Sequence, residues 1–135
     1  MKLKDVMIGD WAWDKENDCP WQINIKDFRN DGNNILFFEP IPLTSELLER
    51  NGFERVPQSG RANPYHWMLE KYEEETDGQL FRIKAFNNPF RGMFVIIDNP
   101  SACETISFGK QIEFVHELQH ALRLCEIELE IKLEN

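Results

Sequence analysis

Cysteine is scarce in this chain. Cys19, Cys103 and Cys125 are the only three in 135 residues, far apart and without a Cys-x-x-Cys pair. An odd, scattered set argues against a disulfide framework or a cysteine-rich zinc knuckle and leaves buried or incidental thiols. Long apolar runs are missing as well. No stretch approaches the ~20 residues a membrane helix needs, and Met1-Lys2-Leu3-Lys4-Asp5 lacks the apolar core of a secretory signal. The expected location is the cytoplasm, with no membrane contact. Positive charge is also short, with 15 Lys and Arg against 24 Asp and Glu, a net charge of −9 and a pI near 4.8. The basic residues are scattered among acids, so a phosphate backbone is repelled and no nucleic-acid partner is expected. A glycine-rich phosphate loop, a serine nucleophile elbow and a Cys–His pair with an orienting acid are all absent, so phosphoryl and acyl transfer lack support. No cofactor is expected.

What is present is core material. Apolar residues make up 41% and aromatics 12%, with ten Phe and four Trp, too much for an intrinsically disordered chain. The length suits one domain, residues 1–135, and no internal repeat or linker divides it. The acidity reads as a solvated surface. An alternative is mimicry of nucleic-acid charge by an inhibitor of a DNA-handling protein.

Val6 to Trp13 is β-branched and aromatic, Asp14 to Asp18 is a polar break, and Trp21 to Phe28 alternates at period two. These segments predict an N-terminal hairpin with Trp21, Ile23 and Ile25 on its buried face. Asp31-Gly32 marks a turn before a short strand, Ile35 to Phe38. The best-punctuated helix follows: Pro40 and Pro42 hold its approach extended, Thr44 caps the N-terminus, and Gly52 supplies a left-handed stop that lets Phe53 touch Leu48. Beyond a loop at Pro57 to Pro64, strands at Tyr65 to Tyr72, Phe81 to Ala85 and Met93 to Ile97 predict a three-stranded meander. Met93 to Ile97, continuously apolar, is expected to be covered on both faces. A short strand is expected at Thr105 to Phe108.

The stretch from Ile112 to Leu133 carries the one enzyme-like pattern, His116-Glu117-Leu118-Gln119-His120. A zinc peptidase uses H-E-x-x-H because residues four apart share a helix face, so two imidazoles grip one ion while the glutamate polarises the bound water. At roughly 100° per residue, Phe114, Val115, Leu118, Ala121, Leu122 and Cys125 gather on one side, with His116 and His120 nearly opposite. The histidines are therefore expected to face water, and a metal would need a second layer over them. A downstream third ligand is missing, because the fifteen residues after His120 in the 135-residue chain include no histidine. His66 is the only other histidine and the only upstream candidate. Metal ligation by His116, His120 and His66, with Glu117 as the catalytic base of a zinc-dependent hydrolase, is kept as an alternative. The main expectation is an incidental match on a structural helix.

After Cys125 the period changes to two: Ile127, Leu129, Ile131 and Leu133 alternate with Glu126, Glu128, Glu130 and Lys132, predicting a C-terminal edge strand with an acidic outer face. Glu126 and Glu128, weighed as paired catalytic carboxylates, point together into solvent on such a strand with nothing apolar to raise either pKa. Trp11, Trp13, Trp21 and Trp67 suit either core packing or a ligand-facing cleft, and the sequence leaves this open.

Ile8-Gly9-Asp10-Trp11, the run Pro40-Ile41-Pro42-Leu43-Thr44-Ser45-Glu46-Leu47-Leu48 with Asn51-Gly52-Phe53-Glu54, and Glu113 to His120 resemble, in order and spacing, an uncharacterised family of small proteins from gut-bacterial genomes, prophages and mobile elements. The likeness spans most of the chain, and its most specific piece is Pro-Ile-Pro-Leu-Thr. Members of that family tend to read Val-His-Gln-Leu-Gln-Asn at Val115 to His120, so Glu117 and His120 depart from the pattern. They also carry a glycine near Cys125 or Glu126. The resemblance implies phage or mobile-element biology and no mechanism.

The expectation is thus one α+β domain: an antiparallel sheet with an N-terminal hairpin unit, one short and one longer helix, and a C-terminal edge strand. Its expected role is a non-enzymatic protein-interaction module whose partner is a protein.

Overall fold

The computed structural model describes residues 5–28, 35, 37–56, 67–74, 80–88, 92–99, 104–107, 111–125, 127 and 129–133. Strand β1, Trp11–Asp14, lies between β2, Cys19–Gln22, and β3, Phe38–Glu39, in a small antiparallel sheet. The β1–β2 hairpin pairs Ala12 with Trp21 and Asp14 with Cys19. Asp14 shapes its turn, because Oδ1 accepts the Glu16 and Asn17 N–H groups at 2.9 and 3.2 Å and Oδ2 accepts Asn17 Nδ2 at 2.8 Å. Asp18 closes the turn at φ 54°, a left-handed position that aspartate tolerates better than most residues.

The second strand is shorter than its alternating pattern predicts. It stops at Gln22, and Ile25–Phe28 forms a 3-10 turn. Asp27 is the cause, because its Oδ2 accepts the Asn24 N–H at 2.8 Å and the Trp21 indole N–H at 3.0 Å, offering the backbone a local alternative to the ladder. Ile23 remains buried as expected, but Trp21 is 40% and Ile25 73% exposed.

Helix α1, Ser45–Arg50, has the ends the sequence calls for. Thr44 Oγ1 accepts the Leu47 N–H at 3.2 Å, a cap worth about 1 kcal/mol. At the other end Gly52 N–H reaches Glu49 O, Phe53 N–H reaches Leu48 O, both at 3.1 Å, and Gly52 takes φ 90°. This is a Schellman ending, and it buries Phe53 beside Leu48 in the main core.

Among the described residues the meander has five strands rather than three. Strands β4 (Glu54–Arg55), β5 (Trp67–Glu74), β6 (Leu80–Asn88), β7 (Gly92–Asn99) and β8 (Glu104–Ser107) are antiparallel neighbours in that order. β4 has only two residues, too few for a period to register. Leu69, Ile83, Ala85, Met93, Val95 and Ile97 form the buried face. The expectation that Met93 to Ile97 is covered on both sides is corrected, since Phe94 and Ile96 are only half-buried, Phe94 stacking on Phe86 at 5.9 Å.

Helix α2, Val115–Leu124, lies against this sheet, with Val115, Leu118, Ala121 and Leu122 in one cluster with Leu47, Leu48 and the sheet's inner face. Burying a leucine such as Leu118 or Leu122 contributes roughly 1.5–3 kcal/mol. A second cluster, Val6, Ala12, Ile23, Ile35 and Phe38, belongs to the small sheet.

The C-terminal edge strand is a correction in part. Ile127 and Ile131 are buried as the alternation predicts, yet residues 127 and 129–133 pair with no strand among the described residues. Side chains take the place of a ladder. Asn51 Oδ1 accepts the Lys132 N–H at 2.6 Å while Asn51 Nδ2 donates to Lys132 O at 2.9 Å, and the Trp11 indole donates to Ile131 O at 2.7 Å. Glu126 and Glu128 lie outside the described residues. No helix among the described residues is long and apolar enough to cross a membrane.

Candidate functional site

On α2, the residues opposite the apolar stripe are His116, Gln119, His120 and Arg123, spaced at i, i+3, i+4 and i+7. The structure puts them against the small sheet rather than in water, so α2 is packed on two sides and the expectation of outward-facing histidines is overturned. His116 is 7% exposed and the His120 side chain 27%. A polar stripe on a helix is normally solvated; here the chain that turns from Met7 into β1 presents polar partners to it.

Asp10 is the centre of this seam and is fully buried. Its Oδ1 accepts Arg123 Nη1 at 2.7 Å, and its Oδ2 lies 2.7 Å from both His120 Nε2 and the Met7 backbone N–H. Gln119 completes the join with a pair of bonds: Oε1 accepts the Trp11 N–H at 2.8 Å and Nε2 donates to Gly9 O at 3.0 Å. Gly9 is at φ 94°, and a Cβ there would stand 3.2 Å from Arg123 Nη2, so the close approach and the backbone conformation both call for glycine. A buried carboxylate is tolerable only with such a set of donors.

The H-E-x-x-H residues each have other work. Glu117 Oε1 accepts the backbone N–H groups of Glu113 and Phe114, both at 3.0 Å, which is the carboxylate half of a capping box and satisfies donors at the start of α2. His120 is held by Asp10. His116 stacks on Phe114 at 5.9 Å and meets His120 edge-on at 5.5 Å. Among the described residues no three His, Cys, Asp or Glu side chains are grouped to hold a metal ion. His66 lies outside the described residues. To act as the base on a metal-bound water, Glu117 would have to release the helix start, and His120, with Nε2 held by Asp10, could ligate only through Nδ1.

His116 Nδ1 is buried without a hydrogen-bond partner among the described residues. Burial pushes its pKa below the ordinary histidine value; His120 pushes the same way, while Asp10, Glu117 and Asp5 oppose. A histidine whose folded pKa is depressed is not penalised above its unfolded pKa, near 6.5, and costs stability as pH falls below it. The expected outcome is a progressive loss of stability as pH falls from 7 through the unfolded value towards the folded pKa. Thermal melts at pH 7.5 and 5.5 check it, with His116→Phe expected to show the smaller drop. Equal drops for both chains would remove His116 as the cause.

Sequence reasoning found His116, Glu117 and His120 but missed Asp10, Gln119 and Arg123. Gln119 and Arg123 share the histidines' helix face, but nothing in the sequence pairs that face with Asp10. Of the tryptophans, Trp11 packs partly buried against the main core, Trp13 is half-buried, Trp21 is exposed, and the Trp67 side chain is not among those described. Cys19 and Cys125 are free, with the Cys125 thiol pushed up by burial; Cys103 lies outside the described residues.

A second feature lies on the small sheet. Asp14, Glu16, Asn17, Trp21, Asp27, Phe37 and Phe38 line an open cavity of about 330 Å³. Trp21 and Phe37 stand 40% and 49% exposed beside it, and the Asp27 carboxylate holds the Trp21 indole through the 3.0 Å bond. Compared with known protein families, curated proteins and solved structures, the chain finds no match.

Proposed function

We propose that the chain is a non-enzymatic protein-interaction module of phage or mobile-element origin, acting in the cytoplasm. The carrying observation is the pair Trp21 and Phe37, large aromatic side chains left about half in solvent at the rim of a cavity on the small sheet. Exposed aromatics grouped at a concave site are what interface centres are made of, because a rigid ring buries much area at little cost in side-chain freedom. Ile25, in the 3-10 turn that follows β2, is 73% exposed as well. The seam at Asp10 supports the reading in another way, since its polar residues are taken up in joining the two sheets through α2.

The test is affinity capture from a gut-bacterial host lysate with two baits, the native chain and a Trp21→Ser/Phe37→Ser double variant. The expected result is a protein retained by the native bait and lost by the variant, with at least tenfold weaker binding when repeated with purified components, as removal of two aromatic anchors implies. Identical captured sets for both baits, or no specific capture, would sink the proposal.

A further inference from the structure

Building on the interaction-module reading, we propose that the cavity on the small sheet receives the guanidinium group of an arginine side chain from the partner protein. Its lining holds three carboxylates, Asp14, Glu16 and Asp27, and no lysine or arginine among the described residues. The neighbouring Lys15 is turned to Glu39, with Nζ 3.8 Å from Oε1. In a chain of net charge −9, the described lining of this concavity carries acidic groups and no basic one.

The carboxylates are not equivalent. Asp14 is buried, and both of its oxygens are occupied by the turn donors from Glu16 and Asn17. The side-chain hydrogen bond from Asn17 holds its pKa below the ordinary carboxylate value, so it keeps its charge in mildly acid solution. Asp14 therefore contributes field rather than hydrogen bonds. Asp27 uses Oδ2 for the Asn24 N–H and the Trp21 indole, which leaves Oδ1 without a partner among the described residues; the exposed Glu16 carboxylate has none either. Two acceptors thus remain for an incoming donor.

Two aromatic rings complete the chemistry. Trp21 and Phe37 line the cavity, and a cation placed over an aromatic face is attracted by the ring quadrupole. A planar guanidinium fits both requirements at once, stacking on an indole while its edge donates to carboxylates, whereas an ammonium is a compact, strongly hydrated point charge. The size agrees, because 330 Å³ lies at the small end of the ~300–1,000 Å³ typical of ligand sites and suits a side chain better than a large cofactor.

The test follows the Trp21 indole N–H by NMR while the whole isolated chain is titrated with Nα-acetyl-arginine amide. A saturable shift is expected, with none from the neutral isostere acetyl-citrulline amide and about threefold or weaker affinity for acetyl-lysine amide. Glu16→Gln is expected to weaken arginine binding about two- to fivefold, as loss of one exposed charge partner implies. Phe37→Ala is expected to weaken it about two- to tenfold. Both residues are exposed, and the same spectra report whether each variant is folded. No saturable shift, an equal response to citrulline, or equal affinity for the lysine amide would overturn the assignment. Because no partner protein is present, failure here leaves a captured partner standing. Success here with failed capture would separate the site from the interaction role.

Discussion

Leu118→Ala is expected to lower the free energy of unfolding by roughly 2–5 kcal/mol. Leu118 has no exposed surface and sits on the stripe of α2 that meets α1 and the inner face of the five-stranded sheet. Truncation removes the transfer free energy of three carbons and leaves a void in a cluster whose members come from both helices and the five-stranded sheet and cannot all relax inward. Leu124, on the same helix but 77% exposed, is the internal control: Leu124→Ala should change stability by less than about 0.5 kcal/mol. Urea unfolding followed by circular dichroism reads both, with the midpoint falling for Leu118→Ala and the slope unchanged. Similar losses at the two positions would mean that the helix is rotated from the face described here.

The contrast between those leucines was legible in the sequence, because a 3.6-residue period fixes which side of a helix meets the main core. The short helix α1 was legible for a different reason: Thr44 and Gly52 impose local backbone conformations, and local rules need no knowledge of the rest of the chain. The second half of the first hairpin was not. Period two in Trp21 to Phe28 is a weak signal over so few residues, and the Asp27 carboxylate overrides it by satisfying Asn24 and Trp21 locally. The tail failed in an instructive way. Its alternation correctly marked Ile127 and Ile131 for burial, but alternation specifies a face and not a hydrogen-bonding neighbour, and Asn51 and Trp11 supply the bonds that a strand would have supplied.

The polar face of α2 is the larger lesson. From the helix alone, His116, Gln119, His120 and Arg123 can only be assigned to water, because nothing in a single segment announces that another layer will cover it. What reveals the layer is a residue more than a hundred positions away. Asp10 and its neighbours Gly9 and Trp11 provide one carboxylate, one carbonyl and one N–H, matched to one guanidinium, one imidazole and one amide on the helix. The H-E-x-x-H residues have structural contacts of their own: His120 bonds Asp10 in this joint, and Glu117 caps the helix.

Asp10→Ala should show how much that joint holds. The variant leaves Arg123 Nη1, His120 Nε2 and the Met7 N–H without the acceptor they share, which for a fully buried carboxylate predicts a loss of several kcal/mol. Arg123 and His120 keep 33% and 27% of their side-chain surface in solvent, so both recover some hydration, and the expected loss settles at roughly 2–4 kcal/mol. For a chain of 135 residues this lowers the melting temperature on the order of 10 °C. His120→Ala removes one partly exposed bond and should cost only about 1 kcal/mol, more than a solvated histidine would and less than Asp10→Ala. A cycle of Asp10→Ala and Arg123→Ala should return a coupling of roughly 1–3 kcal/mol, since the two groups meet directly. The loss should also be uneven in space. The small sheet has its own minor core and joins α2 largely through this seam, so hydrogen exchange at Trp11–Asp14 should quicken more than at β6 and β7 in Asp10→Ala. Uniform quickening would mean that the two sheets unfold as one unit, and a stability change under about 0.5 kcal/mol would mean that Asp10 does not hold the seam.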